Sequence, residues 1–275
     1  MTQRTGTAGT IRRVATTATA VLAATTLLVG CGSKNENTGG SSAAPATSPS
    51  VDPKSALLAA VPDEQDGAFR FSGVDGADKI SGAVDPATKA MEISVSQKVA
   101  DPEFTMDLSF RVIDERSWMK VKVAGIDGLQ EMMKIPTRWM TLDRAKIKED
   151  PPVYTGTDPG DTAVIIETAD TVTAKGDGTY TGFADLTDGT EVADALSSVD
   201  VAALGEAGKK VPFTAVVGAD GNLASLTLEI PAAGKQKAHK YSVKYFDFGK
   251  GPKLPAPSGK DVQKAPADAY ELLNS

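Results

Sequence analysis

Between residues 91 and 123 apolar and polar side chains alternate with a period of two, and this run constrains the fold more than any other feature. Met91, Ile93 and Val95 alternate with Glu92, Ser94 and Ser96. Phe104, Met106, Leu108, Phe110 and Val112 alternate with Thr105, Asp107, Ser109 and Arg111, and Met119, Val121 and Val123 with Lys120 and Lys122. Successive side chains of a strand point to opposite faces, so this pattern predicts antiparallel strands with one dry and one wet face. Phe69 and Phe71 flank Arg70 in the same way. Asp75-Gly76, Asp85-Pro86 and Asp114-Glu115-Arg116 mark the turns.

Further strands are expected at 170–174, 179–186, 211–217, 223–230 and 240–248. Gly176-Asp177-Gly178 and Asp220-Gly221 provide two of the turns, the latter being the clearest hairpin signal. Helical spacing is confined to short stretches. Asp52 as N-cap and Pro53 at the first helical position predict a helix over 53–61. Residues 125–150 read as a helical or irregular excursion ending in a short strand at Trp139, 161–169 as a helix, and 192–207 as one or two short helices. Helices do not alternate regularly with strands, so a parallel sheet is disfavoured. The expected fold class is α+β: a large curved antiparallel sheet of nine to eleven strands, with short helices covering the concave face.

The first thirty residues read differently. Arg4, Arg12 and Arg13 precede Val14 to Gly30, an uncharged stretch rich in Ala, Val, Leu and Thr. This is the arrangement of an export signal, too short and too rich in threonine to make a good membrane span. It ends in Leu28-Val29-Gly30-Cys31, which matches a bacterial lipobox, so Cys31 is expected to carry a diacylglyceryl group. Cys31 is the only cysteine, so neither an internal disulfide nor a cysteine metal site is available. Residues 32–52 are Ser-, Gly- and Pro-rich with almost no aliphatic side chains, a tether reaching on the order of 25 Å. The expected organisation is a signal peptide at 1–30, lipidated Cys31 and tether over 31–52, a folded domain over 53–251, and a tail over 252–275.

The formal net charge is −7, and losing the three leader arginines leaves −10. Such a chain disfavours nucleic acid and polybasic adhesion to membranes, leaving the lipid as the expected membrane attachment, on the extracytoplasmic face. Catalytic signals are weak. The single histidine, His239, reads as an exposed residue at a strand start rather than a general base, and Cys31 is consumed by the lipid. With one histidine and no free cysteine, a zinc site would need carboxylates for its other ligands, and none is expected. Gly176, Gly178 and Gly182 miss the dinucleotide spacing and lie in a hairpin. The many carboxylates leave a glycosidase pair open, but no two stand out. The expectation is a non-enzymatic monomer with no metal and no cofactor.

Several segments, taken in order, resemble the actinobacterial LppX/LprA/LprF/LprG lipoproteins, relatives in fold of the lipoprotein carrier LolA. They are the lipobox at Cys31, the Ser/Pro tether, and Ser117-Trp118-Met119-Lys120-Val121. Trp139-Met140-Thr141-Leu142-Asp143 and the strand pair around Val217 to Leu223 follow. The ending, Tyr241 to Lys250 followed by Leu254-Pro255-Ala256-Pro257, is the most distinctive. The resemblance implies an unclosed β-barrel of the LolA/LolB kind, with an apolar cavity between sheet and helices. Some members of that family bind or move acylated lipids and glycolipids, and others have no established ligand. No invariant lipid-contact motif carries over. From the apolar excursions and the methionine-rich stretch, the expected cavity lining is Met119, Val121, Leu129, Met132, Met133, Ile135, Trp139, Val164, Ile165, Leu196 and Leu204. The expected function is a lipid-anchored carrier or sensor for a lipid or glycolipid. The alternatives are a structural or partner-binding lipoprotein with a filled interior and, more remotely, an envelope hydrolase.

Overall fold

The computed structural model describes residues 51–76, 78–148, 152–196 and 198–274. The expected signal peptide, Cys31 and most of the expected tether lie outside the described residues.

The chain opens with α1 (Pro53–Leu58), started as the sequence predicts. Pro53 supplies a preset φ, and the Asp52 carboxylate accepts the Ser55 amide at 2.9 Å. Five long strands follow: β1 (Phe69–Asp75), β2 (Asp78–Asp85), β3 (Ala90–Ala100), β4 (Glu103–Ile113) and β5 (Arg116–Ala124). Next come α2 (Leu129–Met132), β6 (Trp139–Thr141), α3 (Thr162–Glu167), β7 (Ala169–Gly176) and β8 (Thr179–Ala184). The chain continues through α4 (Thr190–Ala195), α5 (Val201–Leu204), β9 (Val211–Val217), β10 (Leu223–Ile230) and β11 (His239–Phe246). It ends with β12 (Val262–Lys264) and α6 (Ala267–Leu273).

Among the described residues, twelve strands form one unclosed sheet in the order β12-β6-β5-β4-β3-β2-β1-β11-β10-β9-β8-β7. Two meanders, β1 to β6 and β7 to β11, meet where β1 pairs with β11, Phe71 opposite Tyr245. All pairings are antiparallel except that of β12 with β6. The sheet has the expected class and slightly more strands than expected.

The extra strands have physical explanations. β2 lacks the alternation that marks its neighbours because its inward positions include Gly82, where the ring of Phe71 from β1 occupies the missing side chain's space. β12 is three residues long, too short to show a period. It also revises the expected end of the domain at residue 251. The segment after Gly251 folds back on the sheet: Leu254 is buried against Ala83 and Ala90, and Pro255 accepts a hydrogen bond from Arg111 at 2.9 Å. Beyond β12, the Tyr270 hydroxyl of α6 accepts the Asp143 amide at 2.7 Å.

Register and burial assign the two faces. One carries Phe69, Phe71, Val84, Leu226, Leu228, Val243 and Tyr245 and receives α1, α3, α4 and α5. The helices are four to seven residues long, too short to persist by themselves, and hold their shape through the apolar surface they cover. The opposite face presents the polar members of each alternating strand.

Candidate functional site

The apolar side chains of the helix-covered face fall into two clusters. The larger lies over β1, β2 and the β7–β11 half, and contains Ile165 and Ile166 of α3, Val192 of α4 and Leu204 of α5. The smaller lies over β5 and β6, with Met119, Val121, Met140, Ile135 and Leu142 closed by Ala269 and Tyr270 of α6.

The expected lining residues divide between these clusters and do not surround one space. Ile165, Leu196 and Leu204 are buried in the first cluster, with Val164 against its edge. Met119, Val121 and Ile135 are buried in the second, with Met133 at its edge. Met119, Val121 and Ile165 have no exposed surface, so they pack the interior. Leu129 is half-buried on α2, whereas Met132 on the same short helix is 77% exposed. Trp139 is on the other face: it alternates with Met140, and Arg111 and Lys120 lie over its ring at 4.9 and 4.8 Å.

Between the two clusters the face stays apolar but is only half covered. The register lines up Ile80, Val95, Leu108 and Val121 across β2 to β5. Ile93, Phe110 and Met119 form the neighbouring row across β3 to β5. Ile80, Ile93, Val95, Leu108 and Phe110 are all half-buried. Apolar rows across adjacent strands, flanked by packed clusters, form a surface on which an extended hydrocarbon chain can be withdrawn from water, gaining about 25 cal/mol per Å². The alternation of 91–112 puts Ile93, Val95, Leu108 and Phe110 on one face and predicts that face dry; they are only half-buried, and the expected cavity drew instead on residues that proved to be core.

The loop before α3 is tied down over β11, on the far side of β1 from these rows. The Tyr245 hydroxyl donates to Asp158, which also accepts from the Thr162 hydroxyl at 3.0 Å and the Ala163 amide at 2.9 Å. The Tyr241 hydroxyl donates to the Gly160 carbonyl at 2.9 Å. Burial raises the Tyr241 phenol, and the Asp158, Asp161 and Asp75 carboxylates add to the shift. Burial and then Asp158 push Tyr245 well above the ordinary value. Both phenols therefore stay protonated and act as fixed donors that hold the α3 loop on the sheet.

His239 starts β11 as expected but is not exposed: its side chain is largely covered, with Nε2 3.5 Å from Asp75 Oδ1. Ser198 donates its hydroxyl proton to the same carboxylate. The acid thus stands between hydroxyl and imidazole, and the histidine is not placed to take the serine's proton. This contact ties the turn after α4 to the end of β1.

On the opposite face Trp118 is buried beneath Arg116, the out-of-phase placement its position in the strand predicts. Arg111 bridges Glu92, Trp139 and the Pro255 carbonyl, fastening the C-terminal segment across β3 and β4.

No protein-family model matches this chain, and no curated protein matches it.

Proposed function

We propose that the protein is a lipid-anchored envelope protein that holds the acyl part of a lipid or glycolipid against the half-covered apolar rows of its sheet. The observation that carries this reading is the band of half-buried apolar side chains on β2 to β5, Ile80, Ile93, Val95, Leu108 and Phe110, left between two packed clusters. Binding would be non-covalent, by burial of hydrocarbon, with α2 as the element beside the bound chain. The lipobox ending in Cys31 supports a working position beside a bilayer. At about 0.8 kcal/mol per buried CH₂, two acyl chains on the cysteine anchor a protein stably.

A second reading has its own support. Met119, Val121 and Ile165 fill the interior themselves, as a structural or partner-binding lipoprotein would require. Two measurements separate the readings. Native mass spectrometry of full-length protein, purified in mild detergent from a bacterium that processes lipoproteins, reports both the anchor and any second lipid. Titration with a fluorescent fatty acid reports uptake. Under the first reading uptake occurs and falls sharply in Leu108→Asp; no lipid beyond the anchor and no uptake would leave the second reading standing. The anchor itself is tested by Cys31→Ser, which should abolish the diacylglyceryl mass increment.

A further inference from the structure

We infer that the face opposite the helices carries a separate binding site, for an anionic saccharide chain. Ser72, Ser81, Ser94 and Ser109 stand side by side on β1, β2, β3 and β4, each opposite the next in register. Lys244 of β11 continues the row beyond Ser72, and Lys120 of β5 continues it beyond Ser109. Neighbouring strands lie about 4.8 Å apart, so the row spans several sugar units; within it the Ser94 and Ser109 hydroxyls bond each other at 2.8 Å, which leaves one proton and the remaining lone pairs of the pair for a ligand.

Two pockets lie along this row, of about 400 and 580 Å³, and both are bordered by Ser72, Ser81 and Ser94. Together they form one trough. Its charged wall is strongly one-sided: Arg70, Arg111 and Lys253 border the first pocket, and Lys79, Lys120 and Lys122 the second. The carboxylates are Glu92, already paired with Arg111, and Asp107, which sits opposite Lys122 in register. Lys79 and Lys122 form no ion pair among the described residues. In a chain of formal net charge −7 this is a local excess of cations, and such a patch inside a recess attracts anions by focusing the field.

The side chains narrow the ligand. Serine hydroxyls both donate and accept, as recognition of sugar hydroxyls requires, while the lysines suit carboxylate or phosphate substituents. One exposed ring, Phe246, borders the first pocket, where the apolar face of a sugar can pack on it; the serine row itself carries no ring, so successive bases of a single strand have no stacking platform. The first pocket of the trough is edged by the segment at Pro252, Lys253 and Leu254. Ile80 and Val95 of the apolar rows also border the second pocket, so the two sites share β2 and β3, but the inference rests on the serines and cations and does not depend on lipid binding.

The test is calorimetric titration of the full-length protein with a short uronate oligosaccharide, a neutral dextran of equal length, and vesicles containing phosphatidylglycerol. Binding of the uronate is expected, weakening as salt rises, with little binding of the dextran. The double variant Lys79→Gln/Lys122→Gln should keep its melting temperature and lose about tenfold in affinity, or about 1.4 kcal/mol. Ser81→Ala/Ser94→Ala should weaken uronate binding while leaving the affinity for inorganic phosphate unchanged. Absence of uronate binding at low salt would overturn the inference. So would equal binding of dextran, binding unaffected by the double lysine variant, equal weakening of uronate and phosphate by the serine variant, or binding to the vesicles alone. Fatty-acid uptake by the same lysine variant should equal that of the parent protein, so failure here is distinct from failure of the lipid reading.

Discussion

The ring of Phe71 on β1 fills the space above Gly82 on β2: a Cβ on Gly82 would stand 2.5 Å from the end of that ring. It would also meet the Glu92 carbonyl oxygen of β3. The same device recurs in the other half of the sheet, where a Cβ on Gly182 would lie 2.6 Å from the ring of Phe213. Each aromatic covers the glycine of the adjacent strand and keeps the sheet apolar there. Gly82→Ala is therefore expected to destabilise the fold by about 2 kcal/mol or more, since overpacking against ring and backbone cannot relax cheaply. Ser81→Ala, one residue away on the wet face, should change stability by under about 0.5 kcal/mol. Urea unfolding of the two variants checks the contrast.

Met119 and Met132 were equivalent as expected cavity residues, and the structure separates them. Met119 is wholly buried between β4, β6 and α6, whereas Met132 projects from α2. Met119→Ala should cost about 2–5 kcal/mol through the cavity it leaves. Met132→Ala should cost less than about 0.5 kcal/mol. Equal costs, measured by thermal or urea unfolding, would contradict the placement of α2.

The C-terminal segment is expected to be indispensable to the β5–β6 half of the sheet. Ala269 and Tyr270 are buried against Met119 and Met140, and Asn274 Oδ1 accepts the Lys148 amide at 2.8 Å. Removal of residues 266–275 exposes that cluster. It should lower the unfolding midpoint and speed hydrogen exchange in β5 and β6, with little effect on β9 to β11. Exchange read by mass spectrometry distinguishes this local loss from general destabilisation.

Alkaline pH should weaken the protein through Tyr241 and Tyr245. Burial and the neighbouring carboxylates raise both phenols above the ordinary tyrosine value of about 10. As pH rises through that value the unfolded chain loses two protons that the native state keeps. The stabilisation is complete below about pH 10 and is lost as pH rises toward the folded values. Each tyrosine contributes a slope of about 1.4 kcal/mol per pH unit in that window. Tyr245→Phe should reduce the slope, and it should lower stability at neutral pH by about 1–3 kcal/mol because Asp158 loses a donor. Urea midpoints across the alkaline range measure both effects.

Period-two alternation was enough to identify β3, β4 and β5 and to put Ile93, Val95, Leu108 and Phe110 on one face, because a strand's side-chain direction is a local property of the backbone; that this face is only half covered was decided by the tertiary structure. The Asp52-Pro53 start of α1 and the Asp220-Gly221 hairpin were legible for the same reason: cap and turn chemistry act over a few residues. Trp118 could be assigned to the face opposite Met119 from parity alone. The tertiary structure decided what local rules cannot reach. It determined that Phe71 fills the space over Gly82, so that β2 is a strand despite its broken pattern. It placed Trp139 against Arg111 and Lys120, joined Tyr270 to Asp143, and separated the apolar excursions into two packed clusters. It also gathered Ser72, Ser81, Ser94 and Ser109, spread over 38 positions of chain, into one row. The reason is physical: alternation fixes which face a side chain takes within its own strand, but which side chains become neighbours depends on the order and register in which the strands pair.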